Sequence, residues 1–103
     1  MPKVYVVNKS HHDFSKAEPY GELVYLSKGA MSRYEVNNMA RQFSEQMKDS
    51  HGEDYILMSG LSMMNTIACV IFAMMHRKLN LLLYKNNNYI ERNIVLGEKG
   101  GVE

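Results

Sequence analysis

The chain has 103 residues, a length that suits one domain and leaves no room for two ordinary ones. Its formal net charge of +1 argues against a general nucleic-acid binder, because such proteins usually carry a strong positive balance. The single cysteine, Cys69, excludes an internal disulfide and is typical of a protein from a reducing cytosol. We therefore expect a cytoplasmic protein with one domain over residues 1–96 and a flexible tail over 97–103.

Two short apolar segments near the amino terminus predict strands, over residues 3–8 (KVYVVN) and 22–27 (ELVYLS). In the polar stretch between them, Asp13 can cap a single helical turn over residues 14–18. The pattern leaves open whether these two strands are parallel or form a hairpin.

A helix is predicted after the second strand. Ser32 and Glu35 have the spacing of a capping box, and apolar residues recur at helical spacing from Val36 to Met47.

Residues 55–75 (YILMSGLSMMNTIACVIFAMM) carry no charge, and about 20 such residues is the usual length of a membrane span. Ser59 and Gly60 interrupt this run, and glycine inside a helix costs about 1 kcal/mol relative to alanine. We therefore predict a strand over 55–58 and a helix over 62–76 that is capped by Ser62. Such a helix spans roughly 24 Å, which is shorter than a hydrocarbon core of ~30 Å.

Two further strands are predicted over 79–84 (LNLLLY) and 89–96 (YIERNIVL), joined by a hairpin-like turn. The alternation of nearly all-apolar strands with helices indicates an α/β fold. We expect a small Rossmann-like domain with a mostly parallel central sheet of about five strands and two main helices.

The predicted helix over 62–76 is apolar on nearly every side, whereas a sheet covers only one face of a helix. In so small a chain, we expect a second subunit to cover the other face. The prediction is a homo-oligomer, at least a dimer, assembled through this helix.

Ligands of open α/β sheets bind beyond the carboxyl ends of the strands, where two polar loops fall in this sequence. The second loop leads into a helix, whose free N–H groups and positive dipole end suit an anion or a phosphate. The alternative is an ordinary strand-to-helix turn. The candidate ligand-binding residues of the two loops are Asn8, Ser10, His11, His12 and Asp13, then Ser59, Gly60, Leu61, Ser62 and Asn65.

Arg92 completes the set of candidate ligand-binding residues, because a guanidinium near Tyr84 and Tyr89 suits a nucleobase or a phosphate. Its alternative role is that of a charge on an edge strand. His11 and His12 suit contacts with a phosphate or a base, or are solvated loop residues. We expect no metal site, because adjacent histidines on an extended chain point to opposite sides, and no cofactor.

Four segments resemble a family of small phage and prophage proteins: VYVVNKSHHDFSKAEPYGELVYLSKG, DYILMSGLSMMN, LNLLLYK and YIERNIVL. By size and organisation, the chain is also similar to phage anti-defence proteins, above all the first Thoeris anti-defence family. That resemblance implies an oligomeric sponge that sequesters cyclic ADP-ribose isomers without cleaving them. A further similarity is to viral ring nucleases, small α/β dimers that cleave cyclic oligoadenylates.

The function expected from the residues and the resemblance is that of a phage anti-defence protein in the host cytosol. It would sequester a cyclic nucleotide immune signal in a homo-oligomer, as a binder rather than a catalyst, so no catalytic residue is assigned. One alternative is a ring nuclease or phosphodiesterase that uses a loop histidine. Another is a protein–protein inhibitor of a host defence factor. We expect neither a membrane nor a nucleic acid polymer as partner.

Overall fold

The computed structural model describes residues 1–30, 32 and 34–97. Five strands, β1 to β5, span Lys3–Val6, Glu22–Tyr25, Tyr55–Leu57, Lys78–Lys85 and Asn88–Val95. Two α-helices, α1 and α2, span Val36–Gln46 and Ser62–His76, and a 3₁₀ helix spans Ser15–Tyr20.

The strands form one sheet in the order β2-β1-β3-β4-β5. Strands β1 to β4 run parallel to one another, and β5 pairs with β4 in the antiparallel direction. The prediction of a mostly parallel five-stranded sheet with two main helices is therefore confirmed, although the sheet is mixed. The open question about the first two strands is also answered, because β1 and β2 are parallel and the 3₁₀ helix lies in the connection between them.

Alternate residues of β1 face opposite sides of the sheet, and each side has its own apolar core. Tyr5 and Val7 pack in the core that includes Phe43 of α1 and Phe72 of α2. On the other side, Val4, Val6 and residues of β3 to β5 pack against Phe14 and the 3₁₀ helix. The two α-helices therefore cover one face, and the 3₁₀ helix covers the opposite one.

This arrangement places a crevice at the carboxyl ends of β1 and β3, which are neighbours in the sheet. The chain leaves β1 toward the face of the 3₁₀ helix, whereas it leaves β3 toward the face of α2. Where two neighbouring connections diverge in this way, an open α/β sheet offers its usual ligand position.

The predicted caps of both α-helices differ from the structure. Helix α2 has the predicted range, but Leu61 occupies the N-cap position and no side chain caps it among the described residues. Helix α1 begins at Val36, and Glu35 at its N-cap likewise lacks a side-chain bond within the described chain. The Ser32 hydroxyl instead accepts a hydrogen bond from the N–H of Tyr34, which forms a local turn before the helix.

No helix in the described ranges is long and apolar enough to cross a membrane. Of the predicted flexible tail, only Gly97 is described, and residues 98–103 lie outside the described part of the chain.

Candidate functional site

Asn8 and Ser59 join the two predicted loops directly after β1 and β3. The Ser59 hydroxyl accepts a hydrogen bond from the Asn8 N–H at 3.0 Å and donates one to the Asn8 carbonyl at 2.9 Å. One serine therefore pairs with both backbone groups of Asn8. The two loops face each other across the crevice, as expected for the ends of neighbouring parallel strands.

The Asn8 side chain extends the same network to the end of β2. Its amide nitrogen donates to the Ser27 hydroxyl at 2.9 Å and to the Gly29 carbonyl at 3.0 Å. The Ser27 hydroxyl in turn donates to the Val7 carbonyl at 2.7 Å. Asn8 is buried, so its polar groups bind the loops together instead of projecting into solvent.

Gly60 forms the bend between β3 and α2 with a φ of +81°, which is a left-handed conformation that favours glycine. A Cβ atom here would lie 2.8 Å from the Cβ of Asn8, so only glycine lets the two loops approach this closely. Asn65 fixes the bend from inside α2, because its side chain accepts from the Ser59 N–H and donates to the Leu61 carbonyl.

The N-terminus of α2 opens directly beyond this bend. Its first backbone hydrogen bond runs from the Asn65 N–H to the Leu61 carbonyl at 3.2 Å. The N–H groups of Ser62, Met63 and Met64 donate to no acceptor within the described residues. These three donors, together with the positive end of the helix dipole, form a position where an anion is stabilised.

A cavity of ≈ 200 Å³ lies in the crevice, between the two loops and the β4–β5 hairpin. Its aromatic side chains meet edge to face: the His12 ring lies 5.1 Å from Phe14 and 4.7 Å from Tyr84, and Tyr84 lies 5.3 Å from Tyr89, between centroids. The lining residues are Ser10, His12, Phe14, Leu57, Met58, Ser59, Tyr84 and Tyr89.

The Tyr89 hydroxyl is the polar atom in this region whose environment is unusual. Tyr89 is only 5% exposed, and its hydroxyl has no hydrogen-bond partner in the described part of the chain. Burial raises the pKa of this phenol above its ordinary value, and nearby Tyr84 and Asp13 raise it further. The group is therefore a neutral O–H at physiological pH, able to donate or accept one hydrogen bond.

Asp13 lies at the start of the 3₁₀ helix, where its carboxylate accepts a hydrogen bond from the Ser15 N–H at 2.9 Å. That bond lowers the pKa of the exposed Asp13 carboxyl below its ordinary value. Asp13 thus forms a local turn before the 3₁₀ helix and does not cap it as predicted, because Phe14 is the N-cap and has no side-chain bond among the described residues.

Two lysines at the same edge of the sheet were not among the sequence candidates. Lys9 and Lys28 lie opposite each other in an isolated parallel bridge beyond β1 and β2, and both are exposed. The Lys9 ammonium lies 5.1 Å from the centre of the Tyr25 ring, in a cation–π contact. These charges add positive potential beside the crevice.

The structure brings most of the predicted site residues to this edge but divides them among separate surfaces. Ser10, His12 and Ser59 line the cavity, whereas Leu61 and Ser62 line a neighbouring concavity of ≈ 500 Å³ between the N-terminal ends of α1 and α2. His11 is exposed on the first loop and does not line the cavity.

Arg92 lies apart from the other candidates. It pairs with Leu81 in the middle of the hairpin, and its guanidinium donates to the Glu91 carbonyl of its own strand. Because side chains alternate along a strand, Arg92 lies on the face opposite to Tyr89 and the cavity.

Sequence reasoning did not select five residues that line the cavity: Phe14, Leu57, Met58, Tyr84 and Tyr89. Tyr84 and Tyr89 could have been found from the sequence, because they flank the predicted hairpin turn over residues 85–88. A turn that follows β4 lies at the carboxyl ends of the parallel strands, which is also where the two loops lie.

No three histidine, cysteine, aspartate or glutamate side chains cluster as metal ligands over the described ranges. Cys69 lies in α2, where burial raises the pKa of its thiol above the ordinary value. A thiol of this kind is a weak nucleophile.

Comparison with curated proteins and with solved structures gives no match. Comparison with protein-family models gives a match over residues 2–96 to the family described as Phage Pam3 gp32-like protein. The matched region includes both loops of the crevice, the N-terminus of α2 and the β4–β5 hairpin. The resemblance to small phage proteins is therefore confirmed, and the chain belongs to the Phage Pam3 gp32-like protein family.

Proposed function

We propose that this phage protein binds a cyclic nucleotide immune signal in the crevice between β1 and β3 and sequesters it from a host defence system. The ligand class is a cyclic ADP-ribose isomer or a cyclic oligonucleotide. The observation that carries the proposal is the set of free N–H groups at the N-terminus of α2, beside a crevice between diverging connections.

A Rossmann-like mode of binding agrees with this geometry in one respect. Such domains hold phosphate at the N-terminus of a helix that follows a parallel strand. In this chain, the helix is α2 and the strand is β3, whereas β1 is followed by the 3₁₀ helix. The phosphate position is thus assigned to the Gly60–Met63 bend.

The hydroxyl groups of Ser59 and Ser27 support binding rather than cleavage. A nucleophilic serine needs a base that accepts its proton, but the Ser59 hydroxyl donates to the Asn8 carbonyl. The Ser27 hydroxyl donates to the Val7 carbonyl. A ring nuclease that uses a loop histidine remains the alternative, and the two functions differ in their product. A sponge returns its ligand intact after heat denaturation, whereas a nuclease returns a linear product.

Calorimetry against cyclic ADP-ribose isomers and cyclic di- and trinucleotides tests the proposal. Ser62→Asp places a carboxylate at the helix N-terminus, where it stabilises the helix but repels a phosphate, so we expect affinity to fall at least tenfold. Ser44→Asp is the matched control, because it makes the same change at an exposed position in the last turn of α1, away from any helix N-terminus. Absence of binding across the panel, or equal affinities for the two variants, would contradict the proposal.

The outward face of α2 supports a homo-oligomer as the form that binds. Met63, Val70, Met74 and Met75 are exposed on this helix, with Val70 at 50% and Met74 at 76%. A helix face with several exposed apolar side chains of this kind marks an interaction surface. We propose that a second copy of the chain covers it.

Light scattering of the wild type and of Val70→Lys tests the oligomer. We expect the wild type to be at least a dimer and the variant to be a monomer with an unchanged circular dichroism spectrum. A monodisperse wild-type monomer at micromolar concentration would contradict the homo-oligomer. In that case, the same apolar face favours the second candidate function, an inhibitor that docks on a host defence protein.

A further inference from the structure

Tyr89, which lines the cavity in the crevice, carries a buried hydroxyl that the rest of the described fold does not use. Leaving a buried hydroxyl without a partner costs about 1–3 kcal/mol, and native proteins contain few such groups. The Tyr89 hydroxyl lacks a partner within the described residues, although Tyr89 lies in an otherwise well-packed core with Phe14 and Leu57. By contrast, the Tyr20 hydroxyl on the same face donates to the backbone carbonyl of Tyr89, and the Tyr55 hydroxyl donates to the Glu91 carboxylate.

We propose that this cavity is a subsite for a planar nucleobase, and that the Tyr89 hydroxyl hydrogen-bonds the polar edge of the base. The inference rests on the proposed function, and it adds which part of the ligand enters the fold. Aromatic and apolar walls with a few polar groups, one of them a buried unpaired hydroxyl, are the usual composition of a site that orients a small ligand.

The size of the cavity selects a fragment of a nucleotide. Its ≈ 200 Å³ corresponds to roughly seven water molecules at ~30 Å³ each. That volume has room for one ring system, whereas whole drug-sized ligands occupy sites of about 300–1,000 Å³. The remaining sugar and phosphate must therefore lie outside the cavity.

The chain connects this cavity to the proposed phosphate position through very few residues. Ser59 lines the cavity, and Ser62 is the first residue of α2 with a free N–H group. Only Gly60 and Leu61 separate these two residues. A base in the cavity would thus leave its sugar at the Ser59–Gly60 bend and its phosphate at the helix N-terminus.

The aromatic rings at the mouth of the cavity are suited to a π system. His12 is exposed, and its ring lies edge-on to both Phe14 and Tyr84. Stacking of a base on aromatic side chains tolerates different bases, so selection among bases would come from the Tyr89 hydroxyl.

The test compares Tyr89→Phe with Tyr55→Phe. Each variant loses one hydroxyl on the same face of the sheet, but the Tyr55 hydroxyl bonds Glu91 and Tyr55 does not line the cavity. The probes are AMP, GMP and the cyclic nucleotides, with ribose 5-phosphate as the probe that has phosphate but no base. We expect Tyr89→Phe to weaken the best base-bearing probe about tenfold, with no change for ribose 5-phosphate, and Tyr55→Phe to change neither.

His12→Ala provides a second variant, because His12 is exposed and its loss leaves the core intact. It too should weaken only the base-bearing probes. If Tyr89→Phe and His12→Ala bind every probe as the wild type does, the base subsite is wrong, while the phosphate site stands. If neither ribose 5-phosphate nor any nucleotide binds the wild type, the proposed function fails together with the subsite.

Discussion

Buried polar side chains lie both where β1 and β3 begin, here called the amino edge of the sheet, and where they end, the carboxyl edge. The hydrogen bonds of these side chains differ between the two edges. At the amino edge, the Asp54 carboxylate accepts hydrogen bonds from the N–H groups of Lys3 and His51 at 2.9 and 2.8 Å. Asn80 donates to the carbonyls of Gly52 and Asp54 and accepts from Asn93. Each of these polar side chains is therefore hydrogen-bonded to other groups of the protein.

At the carboxyl edge, Asn8 and Ser59 are likewise hydrogen-bonded to each other. Other polar groups beside the crevice differ in this respect. The first N–H groups of α2 and the Tyr89 hydroxyl have no partner in the described chain. Polar groups at the amino edge therefore stabilise the fold, whereas part of those at the carboxyl edge is unpaired within the described residues and serves the proposed ligand in our proposal. Each of the following predictions would sharpen or contradict that difference.

The largest expected effect is at the amino edge. Asp54→Ala removes the buried carboxylate that accepts from the backbone donors of Lys3 and His51 in two partly buried hydrogen bonds, so we expect the free energy of unfolding to fall by about 3 kcal/mol. Urea denaturation measures the change, which should appear in the midpoint and not in the slope. A loss below about 1 kcal/mol would show that the network does not stabilise the fold.

Alkaline pH should destabilise the protein through Tyr5. Burial raises the pKa of Tyr5 from 10.0 to about 12, and the nearby Asp54 carboxylate adds to the shift. The unfolded chain therefore loses this proton first, so stability is complete below pH ~10 and declines by about 2 kcal/mol as pH rises toward 12. Urea denaturation across that range measures the decline. In Tyr5→Phe the decline should be smaller, and an identical decline would assign it to other groups.

Gly60→Ala and Gly29→Ala separate close approach from backbone strain at the carboxyl edge. Both glycines have left-handed φ angles, +81° and +69°, but only at Gly60 does an added Cβ meet a neighbour, whereas Gly29 faces open space. We expect each variant to lose about 1 kcal/mol from strain, and Gly60→Ala to lose about 1 kcal/mol more. Equal midpoints in thermal unfolding would mean that the Asn8–Gly60 contact relaxes without cost.

The smallest expected effect is that of Tyr89→Phe in the absence of ligand. Removing an unpaired hydroxyl removes no hydrogen bond, so the free energy of unfolding should change by less than about 0.5 kcal/mol or rise slightly. Urea denaturation beside the wild type measures it. A loss above about 1 kcal/mol would show that this hydroxyl stabilises the fold, and the contrast between the two edges would then weaken.

Much of the fold was predictable because its signals are local. Helix α2 spans the predicted residues, Ser62–His76, since Ser59 and Gly60 divide the uncharged run and the apolar spacing continues to His76. The adjacency of β1 and β3, by contrast, is not a local signal, and the sheet order shows it. The predicted cap of α2 was wrong because the conformation of the preceding loop, and not the residue type, decides which residue occupies the N-cap. Leu61 occupies that position, and the Asn65 side chain accepts a hydrogen bond from the Ser59 N–H in the bend.

The cavity could not be predicted from any single segment. Phe14, Leu57 and Tyr89 come from three parts of the chain, and only the sheet order brings them together. Arg92 illustrates the same difficulty, because its nearness to Tyr89 in sequence is cancelled by the alternation of side chains along β5. The sequence indicated two polar loops at the carboxyl ends of strands, but not which residues share a surface.

The two hydrogen bonds between the Ser59 hydroxyl and the backbone of Asn8 have a consequence for the rate and the free-energy cost of binding the proposed ligand. A loop that must become ordered around its ligand loses conformational entropy at that moment, which weakens the complex and slows its formation. Here Ser59 already holds both backbone groups of Asn8, and the Asn8 amide anchors the pair to Ser27 and Gly29. The walls of the crevice are thus preorganised, so association with the proposed ligand would approach the rate of diffusional encounter, and differences among ligands would appear mainly in their residence times.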